Sequence, residues 1–169
     1  MNGTRILVSI PAQTLILFDG DGSEVAAYRI STALSGAGER KGSNRTPRGT
    51  HIVRARIGAG QPANAVFVGR RPTGEIWSPE LAAQYPQRDW ILTRILWLSG
   101  CEVGFNRLGD CDTMQRYIYI HGTPDTEPMG VSLSHGCIRM RNADVLDLYE
   151  RVPVGTPVLI LDSHEIARP

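Results

Sequence analysis

The sequence has almost no net charge, few cysteines and no long apolar run, and each shortage excludes a class of protein. Lysine and arginine total 18 against 17 acidic residues, so the net charge is +1. That is too little for bulk electrostatic capture of nucleic acid or of an anionic membrane. No segment approaches the ~20 apolar residues of a membrane-spanning helix. The three cysteines, Cys101, Cys111 and Cys137, are an odd number, so at least one is unpaired within the chain.

What is present is the composition of one ordinary globular domain. A chain of 169 residues with 41% hydrophobic and 21% charged residues can bury a core without disulfides or structural metal. We therefore predict a single domain over residues 1–169. The apolar stretch over 6–11 is about half as long as a signal-peptide core and lacks a small-residue cleavage site. The expected location is the cytoplasm, or the periplasm if a leader has been trimmed from the chain.

Alternation at period two dominates the first third of the chain and predicts strands. Ile6, Val8 and Ile10 share one side of a first strand, and a second strand leads into a hairpin turn at residues 19–22. The returning strand is expected over 25–32. Further strand patterns follow to the end of the chain with no internal repeat, so the predicted fold class is mainly β.

Two short helices are expected. Ser78 can cap the first, with a proline and an acid in the next two positions. Asn142 can cap the second, in which apolar residues fall on one stripe at i, i+3, i+4 and i+7: Val145, Leu148, Tyr149 and Val152.

Three residues of reactive type, two cysteines and a histidine, are expected to have structural roles and not catalytic ones. Cys101 and Cys111 are ten positions apart and the chain has no Cys-x-x-Cys, so neither a zinc ribbon nor a thioredoxin site is supported. Both are expected to pack as small hydrophobic side chains. His51 lies in the middle of a predicted strand without companions, and we expect it to be structural.

Two segments late in the chain carry the strongest chemical pattern. Residues 117–123 read as a strand in which Tyr117, Tyr119 and His121 share the face opposite the core, with His121 at the strand's end. In the run that begins at residue 134, Cys137 is surrounded by glycine, histidine and arginine: Ser134-His135-Gly136-Cys137-Ile138-Arg139-Met140-Arg141.

This pattern fits an activated cysteine nucleophile. A free thiol has a pKa near 8.5, and the neighbouring Arg139 and Arg141 are expected to lower the value for Cys137. A tight turn at Gly136 can aim the backbone N–H groups of Gly136 and Cys137 at one point and so form an oxyanion hole. His121 would be the general base, its ring fixed by a backbone carbonyl, with that of Gly122 the nearest candidate.

Other interpretations of the same residues remain open at this stage. A lone buried cysteine can be inert packing. His121, His135 and Cys137 could instead bind zinc with Cys111 as a fourth ligand, although the usual ligand spacing is absent. Spacing alone does not decide between catalysis and packing.

At this point the chain resembles a known family, the L,D-transpeptidase catalytic domain of the YkuD type. The resemblance rests mainly on four segments: Ile120-His121-Gly122-Thr123, Gly130, Ser134-His135-Gly136-Cys137-Ile138-Arg139-Met140 and Gly155-Thr156-Pro157-Val158. Weaker support comes from Ser31-Thr32 and from Thr46-Pro47-Arg48-Gly49, which is similar to the family's Thr-Pro-x-Gly loop.

The resemblance implies a β-sandwich of mixed sheets with the active site on its rim, and acyl transfer on peptidoglycan stem peptides without a cofactor or metal. Cys137 would attack the carbonyl between the L-centre of the third residue and the terminal D-Ala, while His121 moves the protons. The resemblance further implies that carbapenems acylate the cysteine. By the same matching the site is lined by Ser134, His135, Gly136 and Arg139, with Arg139 holding the catalytic loop or a substrate carboxylate.

The acyl acceptor would decide the reaction. Water gives L,D-carboxypeptidase activity on recycled muropeptides, which the expected cytoplasmic location favours. An amine gives 3→3 cross-links or exchange of D-amino acids, as in an exported transpeptidase. A non-catalytic wall-binding module is the third possibility, and nothing in the sequence sets the oligomeric state.

Overall fold

The computed structural model describes residues 3–163, which form ten β-strands, two α-helices and one short 3-10 turn. The expected mainly β fold with mixed strand directions and two short helices is confirmed. The strands are β1 Arg5–Ser9, β2 Thr14–Phe18, β3 Glu24–Ser31, β4 Gly49–Ile57, β5 Ala65–Val68, β6 Arg71–Ile76, β7 Ile91–Gly100, β8 Tyr119–Gly122, β9 Ile138–Met140 and β10 Pro157–Leu161. The helices are α1 Pro79–Gln84 and α2 Asn142–Arg151.

The strands form one sheet that closes on itself as a barrel-like sandwich. Within the described chain the order is β4-β10-β1-β2-β3-β9-β8-β7, and a further β4–β7 pairing joins the two ends. The β1–β10 and β8–β9 pairs are parallel and the others antiparallel. The β5–β6 hairpin extends from the first part of β7, whereas β4 pairs with its second part.

The first three strands follow their sequence pattern. Ile6, Val8, Leu15 and Leu17 are at most 2% exposed and belong to the main core. The turn at Asp19 is closed by its side chain, because Oδ1 accepts from the backbone N–H groups at 21 and 23, at 2.9 and 3.0 Å. Alternation and turn chemistry are local signals, and here they suffice to place the hairpin.

The first helix begins as expected and the second does not. The Ser78 hydroxyl accepts from Leu81 N at 3.1 Å, so its capping role is confirmed. In α2 the cap position belongs to Arg141, whose side chain makes no capping hydrogen bond. The expectation that Asn142 caps this helix is wrong: Asp125 Oδ1 accepts from Asn142 N at 3.3 Å, and the Asn142 side chain turns into a buried polar cluster.

Strand β8 is buried on both faces, and this places the site. Ile118 and Ile120 belong to the main core, as alternation predicts. Tyr119 packs in a second, smaller apolar cluster, with Cys137 at its edge. The face that carries His121 is therefore an apolar wall beside a cavity.

No helix in residues 3–163 is long and apolar enough to cross a membrane.

Candidate active site

Cys137 lies immediately before β9, and its sulfur contacts the backbone at the start of the neighbouring strand β8. Tyr119 N–H donates to Sγ at 3.3 Å, and the thiol donates to the Tyr117 carbonyl oxygen at 3.3 Å. Because β8 and β9 are parallel with Ile120 opposite Ile138, the sulfur stands on the side of β8 that carries His121. The strand pairing, and not sequence proximity, brings these two residues together.

A tight turn over 134–137 presents the cysteine. The Ser134 hydroxyl donates to the Cys137 carbonyl oxygen at 2.6 Å and accepts from Gly136 N at 3.2 Å. Gly136 has φ of 134°, and a Cβ there would lie 3.2 Å from Ile118 Cδ1 and 3.3 Å from Arg45 O, so only glycine fits without strain. The sequence predicts that Gly136 N–H helps to form an oxyanion hole, but in this structure that N–H is held by Ser134.

The turn is fastened to the long loop between β3 and β4. The buried Thr46 hydroxyl donates to the Gly136 carbonyl oxygen at 2.9 Å and accepts from Ala33 N at 3.0 Å. Thr46 belongs to the Thr-Pro-x-Gly segment noted in the sequence. Its hydrogen bond to the turn places that loop beneath the cysteine.

His121 is 1% exposed and its ring is held by the backbone. Nδ1 lies 2.6 Å from the Gly122 carbonyl oxygen, which is the contact predicted from the sequence. A carbonyl oxygen only accepts, so Nδ1 carries the proton and Nε2 is left as the basic nitrogen. That is the tautomer a general base requires; the catalytic roles themselves remain predictions.

A cavity of 530 Å³ gathers most of the predicted site. Its walls include His121, Ser134, His135, Cys137 and Arg139. The other two predicted residues, Gly122 and Gly136, supply backbone groups behind this surface. The volume is typical of pockets that bind a small ligand.

Asp89 is a site residue that the sequence analysis missed. Its Oδ1 lies 3.2 Å from Arg139 Nη2, and its Oδ2 lies 3.8 Å from His135 Nδ1. Asp89 also borders a second cavity of 160 Å³, which shares His135 and Arg139 with the first and includes Arg88 and Glu127. The segment before β7 offers no local motif that could have revealed this role, since the contact depends on sheet pairing.

The expectation that the pKa of Cys137 is lowered overall is wrong, although Arg139 acts in the expected direction. Burial raises the pKa of its thiol to about 11, opposed by the hydrogen bond from Tyr119 N–H and by Arg139 and Arg116, and assisted by the carboxylate of Asp89. Arg141, which we expected to contribute, lies exposed at the start of α2. Arg116, which no sequence pattern singled out, lines the cavity in its place.

Burial acts on His121 in the opposite direction. It lowers the pKa of the imidazole, against a raising contribution from the hydrogen bond to Gly122 and from Asp89. At neutral pH the resting site therefore holds a neutral thiol and a neutral imidazole. Such a pair requires proton transfer during attack and does not start from a thiolate.

The remaining candidates resolve as follows. Cys111 is buried, as expected. Cys101 is exposed, because it follows β7 in a surface loop, so the packing role predicted for it is wrong. His51 is fully buried between Gly49 O and Thr113 Oγ1, at 3.0 and 2.9 Å. Within the described part of the chain no group of three His, Cys, Asp or Glu side chains is placed to hold a metal.

Sequence comparison identifies known proteins that are similar to this chain. The sequence model of the L,D-transpeptidase catalytic domain (YkuD) matches residues 3–160. The chain is 34% identical over 127 residues to the probable L,D-transpeptidase YbiS of Escherichia coli K12, which covers 69% of this chain and 40% of that protein. It is 45% identical over 62 residues to the putative L,D-transpeptidase YqjB of Bacillus subtilis 168, covering 37% and 34%. The chain thus spans well under half the length of these relatives.

Solved structures show the same fold at low sequence identity. L,D-transpeptidase 3 of Mycobacterium tuberculosis, in complex with a faropenem-derived adduct, superposes with a TM-score of 0.58 at 17% identity, covering 95% of this chain and 61% of that one. The C442S mutant of the Enterococcus faecium L,D-transpeptidase gives 0.57 at 17%, covering 94% and 49%.

Proposed function

The chain belongs to the L,D-transpeptidase catalytic-domain family, and from this premise we propose that it catalyses acyl transfer on peptidoglycan stem tetrapeptides through a thioester on Cys137, with water as the favoured acceptor. The product is then a tripeptide and free D-Ala. The observation that carries the proposal is the placement of the Cys137 sulfur against β8, in one cavity with a histidine whose free nitrogen is Nε2.

Each step of this reaction has a group in the site. The Cys137 thiol gives its proton to His121 Nε2 as Sγ attacks the carbonyl carbon between residue three and D-Ala. The tetrahedral intermediate collapses, the carbon–nitrogen bond breaks, and the leaving amine takes the proton from His121. Water then attacks the thioester, His121 takes a proton from it, and collapse releases the tripeptide and restores the thiol.

The sizes of the two cavities support water as the acceptor. The 530 Å³ cavity can accommodate one peptide. The adjoining cleft measures 160 Å³, which is room for about five waters at ~30 Å³ each. Hydrolysis needs nothing larger at that position.

Exchange of D-amino acids is the second candidate, and the charges of the smaller cavity favour it. Arg88, which is paired with Glu75, and Arg139, which is paired with Asp89, bring positive charge, while Asp89 and Glu127 bring negative charge. A free amino acid carries both an ammonium and a carboxylate, and this lining complements both. Formation of 3→3 cross-links would instead require the acceptor peptide to extend beyond this cavity.

One experiment separates these outcomes. Purified disaccharide-tetrapeptide is incubated with the protein in water enriched in heavy oxygen, with and without a free D-amino acid, and the products are weighed by mass spectrometry. A tripeptide carrying one heavy oxygen supports hydrolysis; a tetrapeptide containing the added amino acid supports exchange; dimers support cross-linking. Cys137→Ser should abolish each reaction, whereas Cys101→Ser, a surface cysteine, should change none.

A negative result has a definite meaning. If the wild-type protein changes no substrate and binds the tetrapeptide unaltered, the chain is a binding module and the catalytic proposal is wrong. Incubation with a carbapenem provides an independent check, because a mass increase on Cys137 reports a competent nucleophile even where the peptide is a poor substrate.

We also propose a cytoplasmic location. The exposed free thiol of Cys101 supports it, since exposed unpaired cysteines persist where thiols are kept reduced. Fractionation of the native host with an antibody against this chain tests the proposal, and recovery from the envelope would contradict it.

A further inference from the structure

A buried polar cluster lies against Gly122, the residue whose carbonyl oxygen holds the catalytic histidine. Its centre is the pair Thr93 and Asn142, in which the Thr93 hydroxyl donates to Asn142 Oδ1 at 2.5 Å. The same hydroxyl accepts from Asn64 N at 3.0 Å, and Asn142 Nδ2 donates to Asn64 Oδ1 at 3.0 Å. Asn142 Nδ2 also lies 3.2 Å from Asp125 Oδ1. Thr93 and Asn142 are at most 3% exposed, and neither lines the two cavities.

The cluster is in direct contact with Gly122. A Cβ at Gly122 would lie 2.6 Å from Asn142 Oδ1, 2.6 Å from Leu92 O and 3.2 Å from Thr93 Cβ. Glycine is therefore required here by close approach of the cluster. Replacing Gly122 with alanine would push these groups apart.

The cluster also holds the peptides that follow. Asn142 Nδ2 donates to the Thr123 carbonyl oxygen at 2.9 Å, and Thr123 N donates to Met140 O at 3.1 Å. The Thr123 N–H and the Gly122 carbonyl belong to one planar peptide group. Fixing the N–H and the residues on each side therefore fixes the direction of the carbonyl that binds His121 Nδ1.

Thr93 is held in a conformation that its own residue type disfavours. Its φ is 75°, which is unfavourable for a β-branched side chain. It lies in a bulge of β7: Leu92 pairs with Gly122 and Ile95 pairs with His121, so two extra residues fall opposite a single step of β8. Backbone strain of this kind persists only where surrounding contacts over-determine it, and it concentrates at functional sites.

We propose that Thr93 and Asn142 are positioning residues for His121, acting through Gly122 to hold the imidazole in its Nδ1–H tautomer. The bulge brings the Thr93 hydroxyl under Gly122, and the hydroxyl locks Asn142 in the orientation that packs there. Loss of the hydroxyl frees the Asn142 side chain, so Asn142 no longer holds the Thr123 carbonyl oxygen or packs against Gly122. The Gly122 peptide is then held at its N–H by Met140 O alone and can tilt, and His121 populates the Nε2–H tautomer, which cannot accept the cysteine proton. This inference rests on the proposed function, in which His121 is the base.

The sequence contains an internal control for the spectroscopic test. His51 is likewise buried, with Nδ1 3.0 Å from Gly49 O, and it has no contact with the Thr93 cluster among the hydrogen bonds of the described residues. Protein labelled with heavy nitrogen in histidine is examined by NMR as wild type, Thr93→Val and Thr93→Ser. The imidazole nitrogen shifts of His121 and His51 report their tautomers without any turnover.

We expect Thr93→Val to move the His121 nitrogen shifts towards a tautomer mixture while those of His51 stay fixed, and Thr93→Ser to restore the wild-type pattern. In the D-Ala release assay Thr93→Val should lower kcat between about 10-fold and 100-fold with little change in KM.

The failures are distinguishable. An unchanged His121 tautomer in Thr93→Val, with His51 intact, overturns the positioning role whatever the activity. If the tautomer shifts but wild type releases no D-Ala, the proposed function fails and the positioning contact stands. Should Thr93→Val not fold, Thr93→Ala removes the same hydroxyl while relieving the β-branched strain, and the same two readouts decide.

Discussion

Thr46→Val should both destabilise the protein and slow the proposed acylation, because one hydroxyl joins the turn that carries Cys137 to the loop beneath it. Thr46 is fully buried, donates to Gly136 O at 2.9 Å and accepts from Ala33 N at 3.0 Å. Valine has nearly the same shape but cannot form either hydrogen bond. The variant therefore leaves one buried carbonyl and one buried N–H without a partner.

The expected loss follows from those two groups. Each unsatisfied buried group costs about 1–3 kcal/mol, so the free energy of unfolding should fall by about 2–6 kcal/mol. For a chain of this length each kcal/mol lowers Tm by roughly 2–4 °C. Thermal unfolding followed by circular dichroism should thus show a Tm lower by at least about 4 °C. Thr46→Ser keeps the hydroxyl and should lose much less.

Activity should fall for a separate reason. The Gly136 carbonyl shares its peptide group with the Cys137 N–H, the donor predicted to stabilise the oxyanion. Releasing the carbonyl releases that donor, and loss of one oxyanion donor lowers kcat by about 100-fold to 1000-fold, so a partial loss of up to about 100-fold is expected in D-Ala release.

Two results would refute this reasoning. If Thr46→Ser is as unstable as Thr46→Val, the methyl group matters and the hydrogen bonds do not. If Thr46→Val unfolds earlier but releases D-Ala at the wild-type rate, Thr46 supports the fold without holding the oxyanion donor.

Three further predictions concern titrating groups. Iodoacetamide should label Cys137 slowly at neutral pH and faster with each pH unit up to about 11, because burial raises the pKa of its thiol to that value. Peptide mapping measures the labelling rate, and a rate that levels off near pH 7 would contradict the prediction. Asp89→Asn should move that profile to lower pH, since the carboxylate raises the pKa of Cys137, whereas Glu127→Gln, a nearby control, should leave it in place. Burial lowers the pKa of His51 from 6.5 to about 4. As the pH falls below 6.5, His51 is therefore protonated in the unfolded chain before it is protonated in the folded protein. Up to about 3 kcal/mol of the free energy of unfolding is lost between pH 6.5 and pH 4. His51→Gln should flatten that fall in urea unfolding midpoints; an unchanged slope would assign the acid sensitivity elsewhere.

Sequence patterns within a few neighbouring residues predict the elements of this fold that depend only on those residues. The first hairpin follows from alternation and from Asp19 at its turn, and α1 follows from the hydroxyl of Ser78. The second helix shows the limit of such reasoning. Asn142 has the right residue type for a cap, but Thr93 and Asp125 arrive from distant parts of the chain and offer its side chain a buried alternative.

The candidate site divides in the same way. Cys137, His121 and the carbonyl of Gly122 are found because they lie in two short motifs. Asp89 and Arg116 could not be found, since they reach the cavity only after β7, β8 and β9 pair. Closure of the barrel by β4 and β7 is likewise a long-range pairing for which the sequence offers no adjacent signal.

The missed residues also explain why the charge state was predicted incorrectly. From the sequence, the arginines near Cys137 imply a thiolate, because the sequence shows which residues are charged but not how deeply the thiol is buried. In the folded protein Asp89 pairs with Arg139 and offsets its effect on the thiol, so burial decides the pKa of both Cys137 and His121 and leaves both neutral. In the proposed reaction, moving the proton from Cys137 to His121 is therefore unfavourable until negative charge can pass on to the substrate carbonyl. A neutral thiol of this kind reacts slowly with solvent-borne electrophiles. In the proposed reaction it responds to a bound acyl group, so we expect its alkylation profile and its turnover to depend on pH in different ways.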